Sequence, residues 1–354
     1  MSLTVPFAFV IPAEETKSCR PRAYRASALT LVLVSLLLHP VWAQVTVFED
    51  LAYGDARPGN LLDLYVPIVD DVRPAPLLIW HSGSAWLGNE GKDADDAVQA
   101  AQRFNGRGYA VATLSIRASS DAPFPAQGYD VRAAIRFLRR NAGLYGIDPV
   151  RVGIMGNSSG GWAAAFAAAT SDIPALPGET GIAGTSSAVR VAVAFFPPSD
   201  FLSMDQFAQD NDLPQGPAYP HDSPNSPEGR LILCPSEAID DIRVSIQECP
   251  QETEAADPAS YIEGVVPPLW VLHGLVDDVL PFNQSELLFQ ASAAWDNFAK
   301  FTLVPTAGHA VEDIIGAAQG TTTFSIRGTE FVRETGGPTW GGVDRFLATY
   351  LKRP

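Results

Sequence analysis

The spacing of apolar residues along the chain changes character after the first extended segments. "VTVFEDLAYG" (45–54) and "NLLDLYVP" (60–67) read as strands separated by glycine and proline. From residue 75 onward, short unbroken apolar runs alternate with longer stretches of helical period. The runs "APLLIWHSG", "YAVATLSI", "RVGIM", "RVAVAFF", "PLWVLHG" and "FTLVP" have the near-continuous apolar character of strands covered on both faces. Between them, "DADDAVQAAQRFNGRG" predicts a helix that stops at glycine. In the next such stretch Val131, Ala134, Ile135 and Leu138 fall at i, i+3, i+4 and i+7, which makes one apolar helix face. An alanine-rich helix follows from Ser158, and "GGVDRFLATYLK" forms the last one.

This alternation predicts an α/β fold with a mostly parallel central sheet and helices on both faces. One domain over residues 44–354 accounts for it. Two regions break the rhythm: 199–260, rich in Pro, Asp and Ser, reads as an irregular insertion, and 316–338 carries Gly-rich segments around a candidate hairpin.

The first 43 residues belong to a different grammar. Lys17, Arg20, Arg22 and Arg25 precede the apolar run "ALTLVLVSLLL" (28–38), and Val41-Trp42-Ala43 has the small-x-small form of a cleavage site. A run of 11 residues is too short to cross a bilayer, which takes roughly 20. The expectation is a secretory signal removed after Ala43, with a secreted or periplasmic product and no stable membrane insertion.

Charge narrows the partners. The whole chain carries a formal charge of −16, and the leader holds more basic than acidic residues, so its removal leaves a still more acidic protein. Such a surface argues against nucleic acid and anionic membranes as partners. Outside the leader, Cys234 and Cys249 are the only cysteines, and in an exported chain a disulfide between them is the simplest expectation.

The candidate chemistry centres on "IMGNSSGGWAAAFAA". Gly156-Asn157-Ser158-Ser159-Gly160 matches G-x-S-x-G between a strand and a helix, the context in which the motif is a nucleophile elbow. Side chains two positions before and after the nucleophile clash in so tight a turn. Centred on Ser158, those positions are Gly156 and Gly160; centred on Ser159, one of them is Asn157. Ser158 is therefore the expected nucleophile. Ser159 is expected to act through its backbone N–H, directed at an oxyanion, so that Ser159→Ala should keep most activity. Asn157-Ser158-Ser159 is also a formal glycosylation sequon, but a glycan there would block the elbow; Asn283 begins a second.

The block "DVRAAIRFLRRNAGLYGIDPVRVGIMGNSSGGWAAA" resembles the α/β-hydrolase carboxylesterases related to hormone-sensitive lipase, most closely the small esterases without a large N-terminal cap. The resemblance implies the α/β-hydrolase fold and a chain order of serine, acid, histidine. Of His81, His221, His273 and His309, it assigns the base to His309 in "VPTAGHAVED". "LHGLVDDVLPFNQSE" is similar to the family's H-G-x-x-D-x-x-V-P element with Leu280 in place of valine. That register selects Asp277 as the acid, with Asp278 as the alternative, and gives His273 a part in holding the loop.

Relatives carry H-G-G-G-W or H-G-G-x-W as the oxyanion loop; this chain has Ser82-Gly83-Ser84-Ala85-Trp86. Aligned on Trp86, the resemblance assigns the oxyanion hole to the amides of Ser84 and Ala85 together with Ser159. It implies no cofactor and no metal, and a small-molecule or carbohydrate-linked ester as substrate. Short acyl chains or plant-wall esters would suit an open cleft walled in part by Phe195, Phe196 and the insertion. The rival readings are a peptidase, an amidase or a lactonase with the same triad, and a hydrolase fold that only binds.

Overall fold

The computed structural model describes residues 45–68, 74–171, 173–179, 184–213, 220–236 and 242–353. The leader and its cleavage site lie outside the described residues. Among the described residues ten strands form one sheet in the order β1-β2-β4-β3-β5-β6-β7-β8-β9-β10. Strands β1 (Val45–Ala52) and β2 (Leu61–Pro67) pair antiparallel at one edge, and β2 is antiparallel to β4 (Ala110–Leu114). From β4 the sheet runs parallel through β3 (Ala75–His81), β5 (Ile147–Asn157), β6 (Val191–Phe195), β7 (Leu269–Gly274) and β8 (Ala299–Val304). This is the mostly parallel α/β sheet expected from the alternation of apolar runs and helices, in the α/β-hydrolase architecture that the resemblance implied.

The parallel strands read as unbroken apolar runs because both sheet faces are covered. Every residue of β3, β4, β6 and β7 is buried. One face packs Leu77, Ile79, Val152 and Ile154 against the helices Ala126–Arg140 and Ser159–Ala169; the other packs Leu78, Met155 and Val193 against Asp95–Asn105 and Trp340–Leu351. Val131, Ala134, Ile135 and Leu138 are all fully buried, which is the face that their spacing predicted. The helix Ser159–Ala169 is buried on every side, so it can be apolar all round and shows no polar stripe.

The candidate hairpin is present and extends the sheet. Strands β9 (Gly320–Ile326) and β10 (Thr329–Thr335) pair antiparallel across a two-residue turn, Arg327-Gly328, both with positive φ (51° and 69°). A turn with two left-handed residues matches the strand twist, and glycine supplies one of them without strain. The 199–260 region holds short helices at Met204–Asp210, Pro227–Ile232 and Pro250–Glu254. Cys234 and Cys249 form a disulfide there, with Cα atoms 5.8 Å apart.

A longer helix also went unread in the sequence. Asn283–Ala294 follows the loop after β7, and its buried side chains include Gln284, Ser285 and Ser292. Gln284 Oε1 accepts the Ser199 and Asp200 amides, both at 2.8 Å, so the helix turns polar atoms inward to tie down the start of the insertion.

Candidate active site

The expected reactive residues sit on segments leaving the carboxyl ends of adjacent parallel strands, where open α/β sheets place ligands. The loop 82–86 leaves β3, the turn at Ser158 leaves β5, the loop at Asp277 leaves β7, and the loop at His309 leaves β8. Their strands are neighbours or near neighbours in the sheet, so residues up to 227 positions apart meet at one place.

Ser158 has φ 55° and ψ −126°, a conformation that L-residues avoid, and its N–H donates to the Phe195 carbonyl at 3.0 Å. The glycines around it are a steric necessity. A Cβ on Gly156 would overlap the Gly160 and His81 carbonyl oxygens, and one on Gly160 would overlap the His81 carbonyl. These are the two positions that singled out Ser158 in the sequence.

His309 Nε2 lies 3.1 Å from Ser158 Oγ, and its Nδ1 lies 2.8 Å from Asp277 Oδ2. The buried carboxylate accepts from Nδ1, which leaves Nε2 to accept from the serine hydroxyl. An imidazole held in this way can take the hydroxyl proton and return it. Phe196 packs on the ring with centroids 4.4 Å apart.

Asp277 is buried, whereas Asp278 is exposed. Asp277 Oδ1 accepts the Val279 and Leu280 amides at 2.9 Å, and Oδ2 also meets His273 Nε2 at 3.2 Å. Burial would raise its pKa, but hydrogen bonds from His273 and His309 outweigh that and hold the carboxyl well below the usual range.

The loop after β3 departs from the sequence reading at one atom. The Ser84 N–H, assigned above to the oxyanion, instead donates to Ser159 Oγ at 2.9 Å. The Ser159 hydroxyl therefore has a partner of its own in the loop, which the sequence did not anticipate. The Ala85 and Ser159 N–H groups have no acceptor among the described residues. Ser82, standing where relatives carry histidine, accepts from Trp80 Nε1 at 3.0 Å and donates to Asp96 at 2.6 Å, which anchors the root of the loop. Trp86 packs edge-on against Trp162, with centroids 5.6 Å apart.

A second correction concerns the cleft. Phe195 and Phe196 are buried, Phe195 against Trp80 and Trp340 and Phe196 against His309, so neither walls an open cleft. Phe195 faces the core because it is the last residue of a fully covered strand. The rings of two other histidines are engaged elsewhere: His81 Nδ1 bonds the Leu114 carbonyl at 2.8 Å, and His221 bonds Glu228 inside the insertion at 3.3 Å. Among the described residues no group of three or more His, Cys, Asp or Glu is arranged to hold a metal ion, and no helix is long and apolar enough to cross a membrane.

The chain matches the BD-FAE family over residues 62–291. It is 30% identical to esterase LipQ of Mycobacterium tuberculosis, over 75% of this chain and 57% of the relative, so it spans little more than half of that protein's length. Among solved structures it is similar to a truncated carbohydrate esterase from gut microbiota, with a TM-score of 0.61 and 29% identity over 76% of this chain and 90% of the other. A bifunctional GH43-CE protein of Bacteroides eggerthii gives a TM-score of 0.60 and 30% identity, over 75% of this chain and 35% of that one.

Proposed function

The chain belongs to the BD-FAE family of α/β-hydrolases related to hormone-sensitive lipase, and from that premise we propose that it is a secreted serine esterase working through an acyl-enzyme. Ser158 is the nucleophile, His309 the base and then the acid, and Asp277 the group that orients His309 and stabilises its charged form. The observation that carries this reading is the hydrogen-bonded line from Ser158 Oγ through His309 to Asp277, at 3.1 and 2.8 Å, on a strained strand-to-helix turn.

Ser158 Oγ attacks the ester carbonyl while His309 Nε2 takes its proton. The carbonyl oxygen becomes an oxyanion, held by the free amides of Ala85 and Ser159. The intermediate collapses, His309 protonates the departing alkoxide, and an alcohol leaves the acyl-Ser158 ester. Water then repeats the sequence: His309 removes its proton, the acyl group leaves as a carboxylic acid, and Ser158 regains its proton.

The substrate class proposed is a short-acyl or plant-cell-wall-type ester. The similarity to a truncated gut carbohydrate esterase, over nine-tenths of that truncated chain, supports it. Export by the leader, with cleavage after Ala43 and a disulfide-tied hydrolase domain from residue 44 carrying its insertion at about 199–260, completes the proposal; N-terminal sequencing of the exported protein tests it. The activity is tested with p-nitrophenyl acyl esters and acetylated or feruloylated oligosaccharides. Wild type should hydrolyse them and Ser158→Ala should not; equal rates for the two would sink the esterase reading.

A further inference from the structure

The two residues flanking the nucleophile both carry side-chain oxygens, and both oxygens are spent on the same loop. Asn157 Oδ1 accepts the Gly83 N–H at 3.0 Å, and Ser159 Oγ accepts the Ser84 N–H at 2.9 Å. These are successive amides of the segment whose next residue, Ala85, presents a free N–H. The loop has little room to shift toward the elbow, since a Cβ on Gly83 would come within 2.6 Å of the Asn157 carbonyl oxygen and 2.7 Å of Ser158 Cβ.

The loop needs holding because two of its residues carry a Cβ in a left-handed conformation. Ala85 and Trp86 have φ of 51° and 55°, the left-handed region that glycine enters freely and residues with a Cβ resist. Such a conformation persists only where surrounding contacts over-determine it. Trp86 is fixed from one side by its packing on Trp162 and by its carbonyl, which accepts the Ser119 N–H at 2.7 Å. Asn157 and Ser159 fix the other side, and they reference the loop to the elbow rather than to the body of the sheet.

Resting on the esterase reading, we propose that Asn157 and Ser159 are positioning residues whose side-chain oxygens clamp the Gly83 and Ser84 amides, so that the Ala85 N–H faces the oxyanion beside the Ser159 N–H. The Ser84 amide then serves the clamp and not the oxyanion. In an oxyanion loop of glycines the left-handed turn needs less support; here the clamp compensates for Ala85.

The test is steady-state hydrolysis of p-nitrophenyl acetate by Ser159→Ala, Asn157→Ala, the double variant, and Ser159→Ala combined with Ala85→Gly. The expected result is a fall in kcat of about 10- to 100-fold for each single variant with KM within about 2-fold, since a misplaced donor weakens the transition state more than the ground state. Ala85→Gly should restore part of the loss by making the left-handed turn accessible without the clamp. If Ser84 were itself an oxyanion donor, Ser159→Ala would free its amide; an unchanged or higher kcat overturns the proposal. So does a loss of activity that Ala85→Gly leaves unrestored. Should Ser159→Ala fail to fold, Ser159→Cys keeps the size, weakens the acceptor and is read in the same way. Wild type no faster than Ser158→Ala is a separate outcome: it removes the esterase reading on which the clamp rests, and the clamp with it.

Discussion

The buried His273 imidazole lies 3.2 Å from the Asp277 carboxylate, which makes Asp277 the shared partner of two histidines. Nε2 of His273 also meets the Leu280 carbonyl at 3.1 Å, and Nδ1 lies 2.7 Å from Ser285 Oγ. A carbonyl only accepts, so Nε2 carries a proton, and Nδ1 pairs with the serine hydroxyl. Every polar atom of this ring is satisfied, and the ring joins the acid loop to the helix Asn283–Ala294.

Replacing His273 by phenylalanine should therefore cost stability as well as rate. The Ser285 hydroxyl and the Leu280 carbonyl would be left buried and unpaired, at about 1–3 kcal/mol each. Urea unfolding should show a loss of about 2–6 kcal/mol relative to wild type. A variant as stable as wild type would mean that the loop does not depend on the ring.

The two neighbouring aspartates should separate cleanly. Asp277→Asn should lower kcat by about 10³- to 10⁴-fold, because an amide can hold His309 in the wrong tautomer. Asp278→Asn, at an exposed position, should stay within about 2-fold of wild type. Comparable losses in the two variants would contradict the assignment of the acid.

The Cys234–Cys249 disulfide closes a loop with a sequence separation of 15 inside the insertion. Closing a loop of that size contributes about 3 kcal/mol by restricting the unfolded chain. The Cys234→Ser, Cys249→Ser double variant should unfold at correspondingly lower denaturant, and a reductant should lower wild-type stability without lowering that of the double variant. An equal response of both proteins to reductant would argue against the bond.

The His221–Glu228 pair predicts a pH dependence of its own. Burial lowers the His221 pKa, but the hydrogen bond and charge of Glu228, with Asp205 and Asp222 nearby, outweigh it and the pKa is raised. A raised folded-state value means that the pair's stabilisation is fully present below the ordinary histidine pKa and is lost as pH rises through the folded value. The difference in melting temperature between wild type and His221→Gln should thus be larger near about pH 6 than near about pH 9. A difference that does not change with pH would show that the charge on His221 adds nothing.

Much of the fold was legible because parallel strands covered on both faces leave an unbroken apolar signature, and a helix packed on one side leaves a periodic one. The helix Asn283–Ala294 left neither. Gln284 and Ser285 point inward, to the start of the insertion and to His273, and Ser292 is buried beside them, so its buried face is partly polar and its period is masked. Phe195 and Phe196 misled for the opposite reason: aromatic residues beside a reactive turn look like cleft walls, and only the packing on Trp80, Trp340 and His309 shows them to be covered.

The sequence by itself determined the α/β alternation and which serine lies midway between the two crowded glycines, because both follow from local sterics: strand and helix periods, and the absence of room for a Cβ at Gly156 and Gly160. The tertiary structure decided which amides are free. Whether the Ser84 N–H faces open space or Ser159 Oγ depends on how a loop 75 residues away in the chain settles against the elbow. Hydrogen-bond pairing between such distant segments follows from the approach of two strands in the sheet and has no local sequence signature.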